Sequence, residues 1–233
     1  MLQKLIKELQ EASSEERAKV SQRFFKTGKG EYGEGDVFLG LTMPQTRVIA
    51  KKHFKNISLA EVQELVKSKY HEFRMCGLVI LTYKYEKASP EEKKEIYEFY
   101  IKNTKYINNW DLVDVTTPRI VGGYLLDKDR SVLYELAKSQ DLWEKRIAVL
   151  ATFPFIREKD FKDCLAISEI LLNDKHDLIH KAVGWMLREI GKKDQDVEEE
   201  FLNKHYKTMP RTMLRYAIEK FEEGKRQGYL KKI

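Results

Sequence analysis

Apolar residues recur at three- and four-residue intervals along most of the chain, as in LAEVQELVKSKY (59–70), EEKKEIYEFYIKN (91–103) and FKDCLAISEILLND (161–174). That spacing lines one face of a helix, and strand-like alternation is scarce. Helix starts are marked by chemistry as well as by period. Ser58 with Glu61 and Ser89 with Glu92 have the spacing of capping boxes, the second with Pro90 at the first helical position, and Thr42 with Gln45 is a third. Pro118, Pro154 and Pro210 punctuate the later helices. The chain is predicted to be all-α.

The helices repeat. HEFRMCGLVIL, NNWDLVDVTTP, DLWEKRIAVLA, DLIHKAVGWML and MPRTMLRYAIE fall into one register that aligns Arg74, Asp111, Arg146, Lys181 and Arg215 at spacings of 37, 35, 35 and 34 residues. Helix pairs with such a period cannot bury their apolar faces alone and stack into an α-solenoid of the HEAT or armadillo kind. One HEAT-like domain spanning 1–233 is expected, with 1–40 as a helical cap and glycine-rich loop. The aligned column is basic at four of five positions. It can follow a phosphate backbone or form an internal ladder of ion pairs, with Asp111 pairing to Arg74 or Arg146; register alone does not choose.

Composition narrows the class. An apolar fraction of 42% and a charged fraction of 34% describe a globular protein. No apolar run approaches the roughly 18 residues that span a bilayer, so no membrane partner is expected. Cys76 and Cys164 stand far apart in apolar surroundings, as buried free thiols do, which fits a reducing, cytoplasmic setting. A net charge of +6 admits a polyanionic partner. Much of the excess lies in 201–233, where Lys204, Lys207, Arg211, Arg215, Lys220, Lys225, Arg226, Lys231 and Lys232 face only three glutamates.

Candidate chemistry centres on NNWDLVDVTTPR (108–119), which is acidic around one of three tryptophans. Trp110 and Asp114, four apart, share one helix face, while Asp111 points about 100° away. An indole beside a carboxylate can receive a cation. Such a pair is also what a core tryptophan beside a capping or solvated acid looks like. Trp143 and Trp185 each precede an arginine by three residues, Arg146 and Arg188; core packing is the simpler reading for Trp143. Gly184 beside Trp185 implies a close helix approach or open surface there. The loop GKGEYGEGD (28–36) lacks both GxGxxG and GxxxxGK[ST], so no triphosphate cradle is supported. It is either a joining loop or a DNA-facing one that brings Tyr32 or Phe38 to the backbone. His176 and His180 have i,i+4 spacing but no third metal ligand, so no metal is expected.

Four motifs in order, VFLGLTMPQTR (37–47), NNWDLVD (108–114), LWEKRIAVLA (142–151) and HKAVGWMLREIGK (180–192), resemble those of the DNA alkylation repair family, the AlkD-like alkylpurine DNA glycosylases. The similarity covers about residues 1–228. It implies a HEAT-like solenoid and a monofunctional hydrolase that excises cationic N3- or N7-alkylated purines from duplex DNA as a monomer, without cofactor or metal. Carried over by motif, Asp114 is the catalytic carboxylate. Trp110 and Trp185 flank the nucleotide's sugar, and Arg146 contacts the backbone near the lesion. Arg188, Lys181, Arg215 and Arg47 are assigned to the DNA backbone. Two features depart from the family: Asn109 stands where its well-studied members have a second tryptophan, and loop 28–36 is richer in glycine. A DNA-structure-binding paralogue without turnover, or a HEAT-type protein-interaction scaffold, are the competing readings.

Overall fold

In the computed structural model the described residues are 1–231; Lys232 of the basic C-terminal stretch lies outside them. They are helical throughout, the sole strand-type pairing among them being an isolated bridge of Val37 with Tyr70. No described helix is long and apolar enough to cross a membrane. The chain forms two compact units, Met1–Ile120 and Val121–Ile233.

The first unit holds α1 (Leu2–Glu11), α2 (Glu15–Phe24), α3 (Met43–His53), α4 (Leu59–Val66), α5 (His71–Tyr85), α6 (Pro90–Lys102) and α7 (Trp110–Thr117). The three capping boxes form as the spacing predicts, at Thr42, Ser58 and Ser89. Each satisfies amides that a helix start leaves without an intrahelical partner. Helix α5 is the unit's centre: Leu78, Ile80 and Leu81 are fully buried, and α3, α4 and α7 pack around it.

One carboxylate fastens the segment before α3 to this helix. Glu72 accepts the amides of Leu39 (2.9 Å), Gly40 (2.7 Å) and Leu41 (3.2 Å). Gly40 sits at φ +82°, and a Cβ there would lie 2.2 Å from the carbonyl oxygen of Ser14. Gly40→Ala combines a left-handed backbone with a clash against main chain, so a loss of about 2 kcal/mol in denaturant unfolding is expected. An unchanged midpoint would contradict the role given to this glycine.

The second unit holds α8 (Gly123–Leu125), α9 (Ser131–Ala137), α10 (Leu142–Ala151), α11 (Phe153–Arg157), α12 (Lys162–Ile170), α13 (Asp177–Gly191), α14 (Gln195–His205), α15 (Arg211–Ala217) and α16 (Glu223–Lys231). Helix α13 is its counterpart of α5, packed against α10, α14 and α15. Gly184 decides how near α15 comes: a Cβ there would be 2.4 Å from the carbonyl oxygen of Met213. Of the two explanations for this glycine, close helix approach is the one realised. Both cysteines are buried free thiols, as their surroundings suggest.

Beside Gly191, Glu198 is 1% exposed, and its Oε1 has no hydrogen-bond partner among the described residues. Burial, reinforced by the charge of Glu199, pushes its pKa from 4.5 up to about 8. Between those two pH values the folded chain holds a proton that the unfolded chain has released. Stability therefore falls as pH rises through this window, and the whole penalty is present above pH 8. Glu198→Gln should match the wild type near pH 4.5 and melt about 10 °C higher at pH 9. A pH-independent difference in Tm would refute this account.

Candidate functional site

Helix α7 begins where Asn109 caps it, the Asn109 Oδ1 accepting the Trp110 amide at 2.8 Å. It ends at Thr117 because Pro118 has no N–H to continue it, and a π-helical turn follows over Pro118–Gly122. One face of α7 is anchored in the core. Leu112 and Val113 are buried, and the Tyr100 hydroxyl bonds to the hydroxyls of Thr116 (2.9 Å) and Thr117 (2.8 Å). Burial raises the pKa of that phenol, and the nearby Asp114 charge adds to the effect. Trp110 and Asp114 are both half-buried, so each keeps part of its surface for solvent or a ligand.

Around Trp110 lies a cluster that sequence reasoning did not assemble. The Phe25 ring stacks on the indole at 5.4 Å, and Phe24, itself 63% exposed, meets it edge-on at 5.9 Å. Phe25 also stacks on Phe38, which in turn stacks on the imidazole of His71. His71 bridges two acids: Nδ1 lies 3.2 Å from Asp36 Oδ2, and Nε2 lies 2.8 Å from Asp111 Oδ2. Arg74 donates to the other oxygen of Asp36 at 2.5 Å, and Asn109 Nδ2 donates to Oδ2 at 3.2 Å. Burial alone would discharge the imidazole. The Asp111 charge and the hydrogen bonds that the ring donates to both acids outweigh it, holding the pKa at about 9. Burial works against the Asp36 charge as well, but the hydrogen bond from His71 and the Arg74 charge win and lower its pKa.

This arrangement changes the partner expected for Asp111 and bears on the two readings left open for loop 28–36. Asp111 takes its hydrogen bond from His71 rather than from Arg74 or Arg146, because His71 stands one turn before Arg74 on α5 and reaches both acids. Phe38 is 6% exposed inside the aromatic stack, so it does not face solvent from the loop. The loop itself is closed by its own bonds, with the Gly28 and Gly30 amides donating to Glu31 and Glu34, each at 2.8 Å. Tyr32 is half-buried, its hydroxyl directed back to the Phe24 carbonyl at 3.5 Å. Asn109, the departure from the family pattern, is fully buried between the helix cap and Asp36. His176 caps α13, and His180 Nε2 lies 2.6 Å from the Asp174 carbonyl oxygen; among the described residues no three groups gather to hold a metal.

In the second unit Trp143 is core, at 6% exposure. Trp185 is half-buried, donates from Nε1 to Glu189 Oε1 at 3.0 Å, and lies against Phe153 at 6.1 Å. The Arg157 guanidinium covers the Phe153 ring at 4.5 Å, a cation–π contact that the sequence did not signal. The aligned column divides by depth. Arg74 and Arg146 are buried, and Arg146 Nη1 donates to the Leu178 carbonyl at 2.5 Å, fastening α10 to α13. Lys181 is half-buried and pairs with Asp177 at 2.7 Å, while Arg215 is exposed, as is Arg47 in the first unit. Arg188 pairs with Glu219. The deep positions therefore make internal structural contacts, but with Asp36 and a backbone carbonyl rather than as an ion-pair ladder along the column, while Arg215 and Arg47 stand at the surface.

The chain matches the model of the family described as DNA alkylation repair enzyme over residues 5–221. No curated protein matches it in sequence. Among solved structures it is similar to a protein from Enterococcus faecalis titled a predicted DNA alkylation repair enzyme. That likeness has a TM-score of 0.71 and 15% identity, covering 91% of this chain and 97% of the other. It is similar as well to AlkD2 from Streptococcus mutans, with a TM-score of 0.58 and 19% identity over 78% of this chain and 91% of that one. A third likeness, smu.31 from Streptococcus mutans UA159, has a TM-score of 0.55 at 19% identity, covering 78% and 93%. At these identities the structures speak for a shared helical-repeat fold, and the match across 5–221 speaks for descent: the chain belongs to the DNA alkylation repair enzyme family.

Proposed function

We propose that this protein is a DNA glycosylase that removes cationic N3- or N7-alkylated purines from duplex DNA by hydrolysis of the glycosidic bond. The observation that carries the reading is the pairing, in a member of this family, of Asp114 with Trp110 on one face of α7, both with surface to spare. An alkylated purine leaves as a neutral base, so cleavage places positive charge on the sugar, as in glycoside hydrolysis. A fixed carboxylate stabilises that charge and orients the attacking water. Asp114 takes this role. Trp110 and Trp185 supply aromatic surface for the deoxyribose. Arg188, Lys181, Arg215 and Arg47 bind phosphates, and Arg146 acts from beneath by holding the start of α13.

Asn109, which favours a non-catalytic DNA-binding paralogue, is buried under the helix cap, so its identity reports on packing around Asp36 rather than on contact with substrate. The decisive experiment incubates the protein with duplexes containing 7-methylguanine or 3-methyladenine and measures free base. Release above the spontaneous rate is expected, with neutral 1,N6-ethenoadenine released poorly because its leaving group is not activated. Duplex binding without release would favour the paralogue. Affinity for duplex should fall steeply with salt, whereas a protein-interaction scaffold would show little affinity at any salt.

A further inference from the structure

Helix α13 is fixed around Trp185 by its neighbours. Ala182, Val183, Met186 and Leu187 are fully buried, and α15 closes over Gly184. With the backbone set, two side-chain torsions decide where the half-buried indole points. Phe153 limits its sweep on one side, at 6.1 Å with the rings inclined by 46°, and Arg157 covers Phe153 in turn. A ring-on-ring contact restrains position but tolerates rotation. The one directional contact of the indole among the described residues is at its edge, where Nε1 donates to Glu189 Oε1 at 3.0 Å. Glu189 stands four residues on, so it shares the helix face of Trp185.

Satisfying a half-buried N–H does not call for a carboxylate, because water can accept the bond. Arg188 Nε lies 4.0 Å from the same Oε1, so the acid opposes the phosphate contact given to Arg188. Glu189 is nevertheless braced in place: its side chain is 15% exposed, and Lys192 donates to Oε1 at 2.6 Å. A carboxylate that accepts from an indole N–H fixes the ring and pushes electron density onto its face, where a cation is attracted. We propose that Glu189 is a positioning residue: resting on the glycosylase reading above, it turns the face of Trp185 toward the sugar on which positive charge develops.

Glu189→Met keeps the length and removes the acceptor, Glu189→Gln keeps an acceptor, and Lys192→Met removes the brace alone. In single-turnover release of 7-methylguanine, Glu189→Met should be about tenfold slower, the scale of one partly desolvated cation–π contact. Its affinity for undamaged duplex should be unchanged. Glu189→Gln should recover most of the rate, and Lys192→Met should match the wild type. Without DNA, the ¹H–¹⁵N signal of the Trp185 indole, identified by its loss in Trp185→Phe, should move in Glu189→Met and hold its place in Lys192→Met. Glu189→Ala serves if the methionine variant does not fold. An unmoved signal, a Gln variant as slow as the Met one, or a loss of duplex affinity equal to the loss of rate overturns the proposal. A binding arm separates it from the glycosylase reading. A duplex carrying a pyrrolidine in place of one deoxyribose is cationic at that ring, whereas a tetrahydrofuran there is neutral. The wild type should prefer the pyrrolidine duplex, and Glu189→Met should lose about tenfold of that preference. That loss, found with a wild type that releases no base, removes the glycosylase reading and leaves the role of Glu189. Release by the wild type, with rate and preference intact in Glu189→Met, does the reverse, and a wild type with neither release nor preference overturns both.

Discussion

Replacing Asp114 with asparagine is expected to slow 7-methylguanine release by about 10²–10³-fold and to leave affinity for the duplex unchanged. The substitution preserves shape and removes charge. It therefore isolates the stabilisation of a cationic sugar from every contact that depends on fit. Asp114 is half-buried on α7, next to core residues that fix the helix from below. A carboxylate partly withdrawn from water acts on a nearby charge more strongly than one in bulk solvent. Single-turnover measurements with excess enzyme separate chemistry from binding. Equal loss of rate and of affinity would show that Asp114 holds DNA rather than the transition state. Undiminished release would remove the residue from the mechanism, and attention would move to Asp111, the other acid of the helix.

The second large effect concerns stability. Asp36→Asn should destabilise the first unit by about 3 kcal/mol at pH 7, because a buried ion network that loses one member leaves its partners uncompensated. Asp36 is the hub: Arg74, His71 and Asn109 all converge on its two oxygens. The pH dependence identifies the network. The His71 pKa stands at about 9 against an ordinary 6.5, so its contribution is complete below pH 6.5 and is lost as pH rises through 9. Asp36, with a lowered pKa, contributes above about pH 4 and loses that contribution on acidification. Asp36→Asn should flatten the alkaline fall, since without this carboxylate His71 has less reason to hold its proton. A variant whose unfolding free energy falls between pH 6.5 and 9 as steeply as the wild type's would refute the assignment. Glu198→Gln acts on the other unit and serves as the control, because it removes only the fall that begins near pH 4.5.

Much of the fold was readable from local chemistry. Thr42, Ser58 and Ser89 announce their helices because capping involves residues three apart, and the shared register of α5, α7, α10, α13 and α15 follows from one apolar period. The site was readable only where its parts are local, as with Trp110 and Asp114 on a single helix. Nothing in the sequence indicates that Phe25 stacks on Trp110, or that Asp36 receives Arg74 and His71 from a helix some 35 residues on; those contacts depend on how α2 and the loop fold back over α5. The depth of the basic column was likewise hidden. Arg146 and Arg215 share a register, yet one is bonded to the Leu178 carbonyl inside the unit and the other stands in solvent.

The burial of Asn109 against Asp36 bears on how relatives are to be compared. A tryptophan placed at 109 in this chain would need room that a fully buried amide does not leave, and it would deprive Asp36 of a donor. Positions 36 and 109 should therefore behave as one heritable character, with a bulky residue at the second tolerated only where the first has changed to suit it. Transplanting the tryptophan alone would test the patience of the fold rather than restore a lost activity.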